Sequence, residues 1–140
     1  MNSNRTPGLP CGLAVHGRIG ASFADWLSGF ASGEASFYMS RQNLVPAFNI
    51  AQHSDSFALL EYIGRFLNAG KVTFVKRCHS QLVVYSALEL ARVLEHFSAH
   101  PPVGSKLADF QTWSRAVEAF LRARDKHGSC WRQHVVYDNI

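Results

Sequence analysis

Apolar residues recur along this chain in two rhythms, and the rhythm switches several times. Phe57, Leu60, Ile63 and Leu67 fall three or four apart, the spacing of one helical face. Phe37 and Met39 alternate with Ser36, Tyr38, Ser40 and Gln42, the pattern of a strand with one buried side and one wet side. Followed from the start, the pattern predicts a helix over Phe23–Gly33 behind a Ser22 cap, with Asp25 in its first turn. Strands follow at Ser36–Gln42 and Val45–Gln52, joined by the short link Gln42-Asn43-Leu44. In the second strand Phe48 and Ile50 oppose Ala47, Asn49 and Ala51, and Pro46 suits an edge or a bulge. A helix over Ser54–Asn68, capped by Ser54, stops at Ala69-Gly70. A second hairpin, Lys71–Arg77 and Gln81–Ser86, turns Val72, Phe74, Leu82 and Val84 to the core. A helix over Leu88–Phe97, the breaker Pro101-Pro102 and a helix over Lys106–Arg124 complete the pattern.

Helix, hairpin, helix, hairpin, helix and one more helix describe an α+β domain: an antiparallel sheet with helices gathered on one face. Residues 1–20, rich in Gly, Pro, Asn and Ser, read as an extended arm, 21–125 as the domain and 126–140 as a polar tail. No helices remain to cover the other face of the sheet. That face carries Ser36, Tyr38, Ser40, Asn49, Thr73, Gln81 and Tyr85, a polar and uncharged surface of the kind with which β-ribbons read a DNA groove.

Charge sharpens this. The chain of 140 residues has a net charge of +4, which permits nucleic acid as a partner without requiring it. No Asp or Glu lies between Glu34 and Asp55, or between Glu61 and Glu89, so both hairpins are free of acids, although strands disfavour Asp and Glu in any case. Hydrophobic residues at 47% supply a core, and charged residues at 17% are too few for a disordered chain. Cys11, Cys78 and Cys130 are scattered without a CxxC pair, which suggests free thiols in a reducing compartment inside a cell. No apolar run is long enough to span a membrane, and no secretory leader is expected. The seven histidines show no metal-ligand spacing and read as ordinary polar residues.

The first helix holds Gly29 and Gly33, four apart and therefore on one face. Each glycine costs a helix about 1 kcal/mol against alanine. Close approach of a second helix is one compensation for small residues so spaced, by analogy with packing in membranes. The plainer alternative, that Gly33 simply ends the helix, leaves Gly29 unexplained. Ser28, Gly29, Ser32 and Gly33 are thus the candidate dimer interface.

Leu27-Ser28-Gly29-Phe30-Ala31-Ser32-Gly33-Glu34-Ala35-Ser36-Phe37 resembles the motif of the LAGLIDADG homing endonucleases in its LxGFxxGExSF form. Phe48-Asn49-Ile50-Ala51-Gln52-His53 is similar to the end of that family's second strand, and Gly70-Lys71-Val72 to the entry of its third. Phe97 to Phe110, with Pro101, Lys106 and Asp109, resembles its FxxxPLxxxKxxDF stretch. The likeness runs from about Phe23 to Leu121 in order and spacing, with one copy of the motif. It implies an αββαββα fold with a saddle-shaped sheet, a homodimer formed through the motif helix, and hydrolysis of both strands of a long DNA target, as in intron homing.

The resemblance also implies roles. Glu34 would bind the metal, Mg2+ or another divalent ion such as Mn2+, with Ca2+ expected to bind without cleavage. Glu34 at a helix C-terminus opposes the macrodipole by about 0.3–1 kcal/mol, and a cation would reverse that sign. Gln52 would orient a water near the metal, or be merely a polar strand end. Lys106 would face the scissile phosphate, or be an ordinary exposed lysine. Ala35, assigned with Glu34 to the metal site, stands where the family carries glycine, which puts the metal geometry in question. For DNA contact the reading selects Ser36, Tyr38, Ser40, Gln42, Asn49, Thr73, Arg77, Gln81 and Tyr85 for bases and Arg41, Lys71 and Lys76 for phosphates. The alternative function is a catalytically silent DNA- or RNA-binding relative, such as a maturase acting on intron RNA. A bacterial or archaeal cytoplasm and an organelle are equally compatible with the chain.

Overall fold

The computed structural model describes residues 22–42 and 44–127. The elements are α1 (Phe23–Glu34), β1 (Ala35–Met39), β2 (Pro46–His53), a 3-10 turn (Ser54–Ser56), α2 (Phe57–Leu67), β3 (Lys71–Lys76), β4 (His79–Val84), α3 (Ala87–Ala99) and α4 (Ser105–His127). The four strands form one antiparallel sheet in the order β1-β2-β4-β3. This is the α+β order that the hydrophobic rhythm predicts. The expected arm at 1–20, Asn43 in the first hairpin and the tail beyond residue 127 lie outside the described residues. No described helix is long and apolar enough to cross a membrane.

Phe48 and Ile50 of β2 and Leu82 and Val84 of β4 lie buried on the covered face of the sheet. They meet Leu27 and Ala31 of α1, Leu60 and Ile63 of α2, Leu90, Val93 and Phe97 of α3, and Phe110, Trp113 and Val117 of α4. Each large apolar side chain so buried contributes about 1.5–3 kcal/mol. Phe37, Phe97, Phe110 and Trp113 form an aromatic knot with ring centroids 5.1–5.4 Å from Phe37. The Trp113 indole N–H donates to the Ala47 carbonyl at 2.8 Å, which fixes α4 on the sheet.

Ser22 caps α1 as expected, its hydroxyl accepting from the Asp25 N–H at 3.2 Å. α2 ends on Asn68 in the left-handed region (φ 53), and Gly70 follows with φ 86. The cap expected from Ser54 belongs instead to His53, whose Nδ1 accepts from the Asp55 N–H at 3.1 Å. The Ser54 N–H donates to the Cys78 carbonyl at 2.9 Å, so the 3-10 turn is anchored to the β3–β4 turn.

Ala47 lies on the open face as expected, since it pairs with Tyr38, yet it is buried, with the larger Tyr38 side chain beside it. Three other expectations are corrected. Phe74, placed in the core, is 66% exposed, because α2 begins only at Phe57 and offers that one ring to stack on, at 4.7 Å. Ser40 and Gln42 fall outside β1, since the chain already turns at Ser40, whose N–H and carbonyl bond Val45 and Leu44. Finally, the β3–β4 register shifts between Phe74 and Lys76, leaving Val75 as the extra residue of a bulge. Strict alternation would put Lys76 with Phe74; the bulge turns it onto the open face opposite His79.

Candidate active site and nucleic-acid interface

The chain passes from α1 into β1 with no intervening loop, so Glu34, the last helical residue, stands at one end of the sheet. Ala35 caps the helix with φ −88 and ψ 157, and its N–H bonds the Ala31 carbonyl. That backbone is extended and open to any residue, so alanine in place of glycine introduces no strain. The Ala35 side chain is buried, and Ala35 pairs with Ile50 in the sheet. Two residues further along β2, the Gln52 amide donates to Glu34 Oε1 at 2.6 Å and to the Ala51 carbonyl at 2.9 Å. Two residues far apart in the chain, singled out separately in the sequence, are thus joined.

Lys106 lies in the first turn of α4, half-buried, and makes no ion pair among the described residues. The loop that delivers it is tied to the motif helix: the Val103 N–H donates to Ser32 Oγ at 2.9 Å, and Ser32 Oγ donates to the Ser28 carbonyl at 2.7 Å. The start of α4 is therefore held against the last turn of α1, which ends in Glu34. Beside Gln52 on the covered face, its β4 partner Ser80 is fully buried, and its hydroxyl has no hydrogen-bond partner among the described residues.

No cluster of three or more His, Cys, Asp or Glu among the described residues could hold a metal ion. What one chain offers is a single exposed carboxylate with one oxygen engaged by an amide. That donor set fits Mg2+ only if a second carboxylate, phosphate oxygens and water complete it, which is the mixture Mg2+ favours.

Of the four residues assigned to a helix-pairing face, the structure splits the set. Ser28 is buried, donating to the His100 carbonyl and lying 3.3 Å from His96 Nε2. Ser32 is turned toward the loop before α4. Both are occupied within the chain, a correction to their assignment as interface. Gly29 and Gly33 point the other way, exposed, and a Cβ at either would meet nothing within 4 Å. Beneath this helix Asp25 Oδ1 pairs with His100 Nδ1 at 3.0 Å. His96 is pulled down to a pKa of about 4, chiefly by burial and then by neighbouring His100, with Asp25 opposing.

On the open face the register assembles rows across the strands. Ser36, Asn49, Val83 and Lys71 form one row, and Ala51, Gln81 and Thr73 the next. The Asn49 amide donates to Gln81 Oε1 at 3.2 Å, joining two candidate base readers. Tyr38 is exposed on β1 and Tyr85 just beyond β4. Arg41, Gln42 and Arg77 sit exposed in the hairpin turns. The last row, His53, His79 and Lys76, holds two residues that sequence reasoning passed over. Alternation would have found them: His53 is two beyond Ala51, and His79 two before Gln81.

A model of the LAGLIDADG endonuclease family matches residues 27–117. Among curated proteins, a probable intron-encoded endonuclease 2 of Neurospora crassa is 30% identical over 97 residues, covering 66% of this chain and 22% of the relative. The chain thus spans about a fifth of the length of the curated relative it matches. Among solved structures, the homing endonuclease I-TnaI superposes with a TM-score of 0.63 at 27% identity over 74% of each chain. The LAGLIDADG meganuclease I-AabMI, solved bound to uncleaved DNA, gives 0.67 at 29% identity over 74% of this chain and 38% of its own.

Proposed function

This chain belongs to the LAGLIDADG endonuclease family, and on that premise we propose that it is a site-specific, metal-dependent endonuclease of double-stranded DNA that works as a homodimer. The observation that carries the proposal is the Glu34–Gln52 pair at the end of a helix whose outer side is bare glycine. Two α1 helices packed through Gly29 and Gly33 bring two Glu34 carboxylates together, and two like charges so placed require cations between them. The two Glu34 carboxylates would hold a divalent ion such as Mg2+, which would supply an activated water and stabilise the leaving oxygen.

The chain's own groups do the rest. Gln52 holds one oxygen of Glu34 and leaves the other for the cation. Lys106, tied close by through Val103 and Ser32, faces the scissile phosphate and offsets its charge. Asn49, Gln81, Thr73, Ser36 and Tyr38 read base edges in the major groove, and Lys71, Lys76 and Arg41 hold the backbone. The silent, maturase-like alternative rested on Ala35; the extended backbone there, which alanine adopts without strain, supports the enzyme reading.

A plasmid carrying the target is expected to be cut in Mg2+ and to stay intact without it. Glu34→Gln is expected to bind the same site and not cut. Normal cleavage by that variant removes Glu34 from the mechanism, and tight binding without cleavage by the wild type in Mg2+ or Mn2+ overturns the enzyme.

A further inference from the structure

The row of residues that closes the open face is not explained by base reading. We propose that Lys76, His79 and His53 form one phosphate-binding row that grips the DNA backbone at the end of the sheet nearest Glu34, taking up protons as it does so. The proposal rests on the reading of the open face as the DNA-binding surface and adds a site to it.

Three observations place the row. His53 pairs with His79, and His79 with Lys76, so three strands contribute one side chain each to a single line across the sheet. The two imidazoles stand with ring centroids 6.4 Å apart, and all three residues are exposed. Lys76 is there only because of the bulge at Val75; a device that re-aims one side chain has brought the row its permanent charge. The line also adjoins the site, since the preceding β2 residue is Gln52, the partner of Glu34.

His53 is arranged to donate outward in both of its charge states. When neutral, its Nδ1 accepts from the Asp55 N–H, so the ring proton sits on Nε2. When protonated, Nδ1 turns from acceptor to donor, and the Asp55 carboxylate lies 3.4 Å away to receive it. The groups around the pair are Asp55 on the 3-10 turn, Cys78 and Arg77 in the β3–β4 turn, and Lys76 on β3. A bound phosphate stabilises the imidazolium forms. The two histidines therefore add to DNA affinity as cations, and this contribution is larger in acid than in alkali.

The test is the salt dependence of binding to a short duplex of arbitrary sequence, measured in acid at about pH 5.5 and in alkali at about pH 8.5. Each neutralised phosphate adds about 0.9 to the slope of log affinity against log salt. The wild type is expected to show a slope steeper by about 1.8 at the lower pH. The His53→Gln/His79→Gln double variant should show equal slopes at both. His79→Gln alone, which leaves the cap on Asp55 intact, should remove about half of the difference. Lys76→Gln should lower the slope by about 0.9 at both pH values and leave the difference unchanged. A wild-type slope independent of pH, with DNA bound, overturns the row and leaves the DNA-binding face standing. A pH difference retained in the double variant also overturns the row. Failure to bind DNA at any pH or salt overturns the row together with the reading of the face.

Discussion

Gly64 and Gly70 against the sheet, and Gly29 and Gly33 on α1, are the same residue in opposite situations. A Cβ at Gly70 would come within 2.8 Å of Leu82 Cδ1 and Val84 Cγ2, and the backbone there has φ +86. A Cβ at Gly64 would lie 3.2 Å from Leu82 Cδ1 and 3.3 Å from the Ala69 carbonyl. These two glycines are required by the chain's own packing, because they let α2 and its exit close onto β4. Gly29 and Gly33 would meet nothing, and Gly33 is no helix terminator: it lies inside α1, and the cap at Ala35 has an ordinary negative φ. Nothing within the described chain accounts for the helix stability they give up, about 1 kcal/mol each. The contrast separates a glycine that serves folding from a glycine that serves an outside surface, here the proposed second copy.

The largest expected effect tests the inner side of the contrast. Gly70→Ala forces a left-handed residue, worth about 1–2 kcal/mol, and drives a methyl into two side chains, worth about 1–3 more. Denaturant unfolding should show a loss of about 3 kcal/mol; a loss below about 1 kcal/mol would mean that the sheet gives way easily and the contrast is weak. The outer side is tested by Gly29→Leu. Thermal stability of the single chain should hold or rise, because a helix former replaces glycine. The dimerisation constant from sedimentation should weaken at least tenfold, about 1.4 kcal/mol. Unchanged pairing in that variant would show that the glycine face is not where two copies meet.

Much of this was legible in the chain because periodicity is local. Strand alternation identified Ser36, Asn49, Thr73 and Gln81 as open-face residues, and the motif pointed to Glu34 and Gln52. What escaped depends on distant partners. All four small residues of α1 looked equivalent until α3 and the loop before α4 claimed Ser28 and Ser32, through bonds to residues some seventy positions away. Lys76 was named as a phosphate contact, but its face escaped because a bulge breaks the period of two, so a face count carried past Val75 inverts. Phe74 escaped because hydrophobic character does not say where the covering helix begins. His53 escaped as a cap because histidine is outside the usual capping set.

The smallest effect concerns the inner face of α1 and sharpens the contrast by pH. His96 lies under this helix beside Ser28 with its pKa lowered to about 4, first by burial, then by His100, with Asp25 opposing. The unfolded chain holds its histidine near the ordinary value of about 6.5. The folded state therefore favours the neutral ring. The stability this secures is complete above the unfolded value and is lost as pH falls from about 6.5 toward 4, because the unfolded state binds the proton first. Since the side chain is only half-buried, solvent screening reduces the effect to about 1 kcal/mol by the lower end of that window. His96→Gln should flatten the stability profile between those limits, leaving only the steeper carboxylate-driven loss at lower pH. Acid should therefore loosen the attachment of α1 to α3. An unfolding profile equally steep with and without His96 would show that this contact does not couple to protonation.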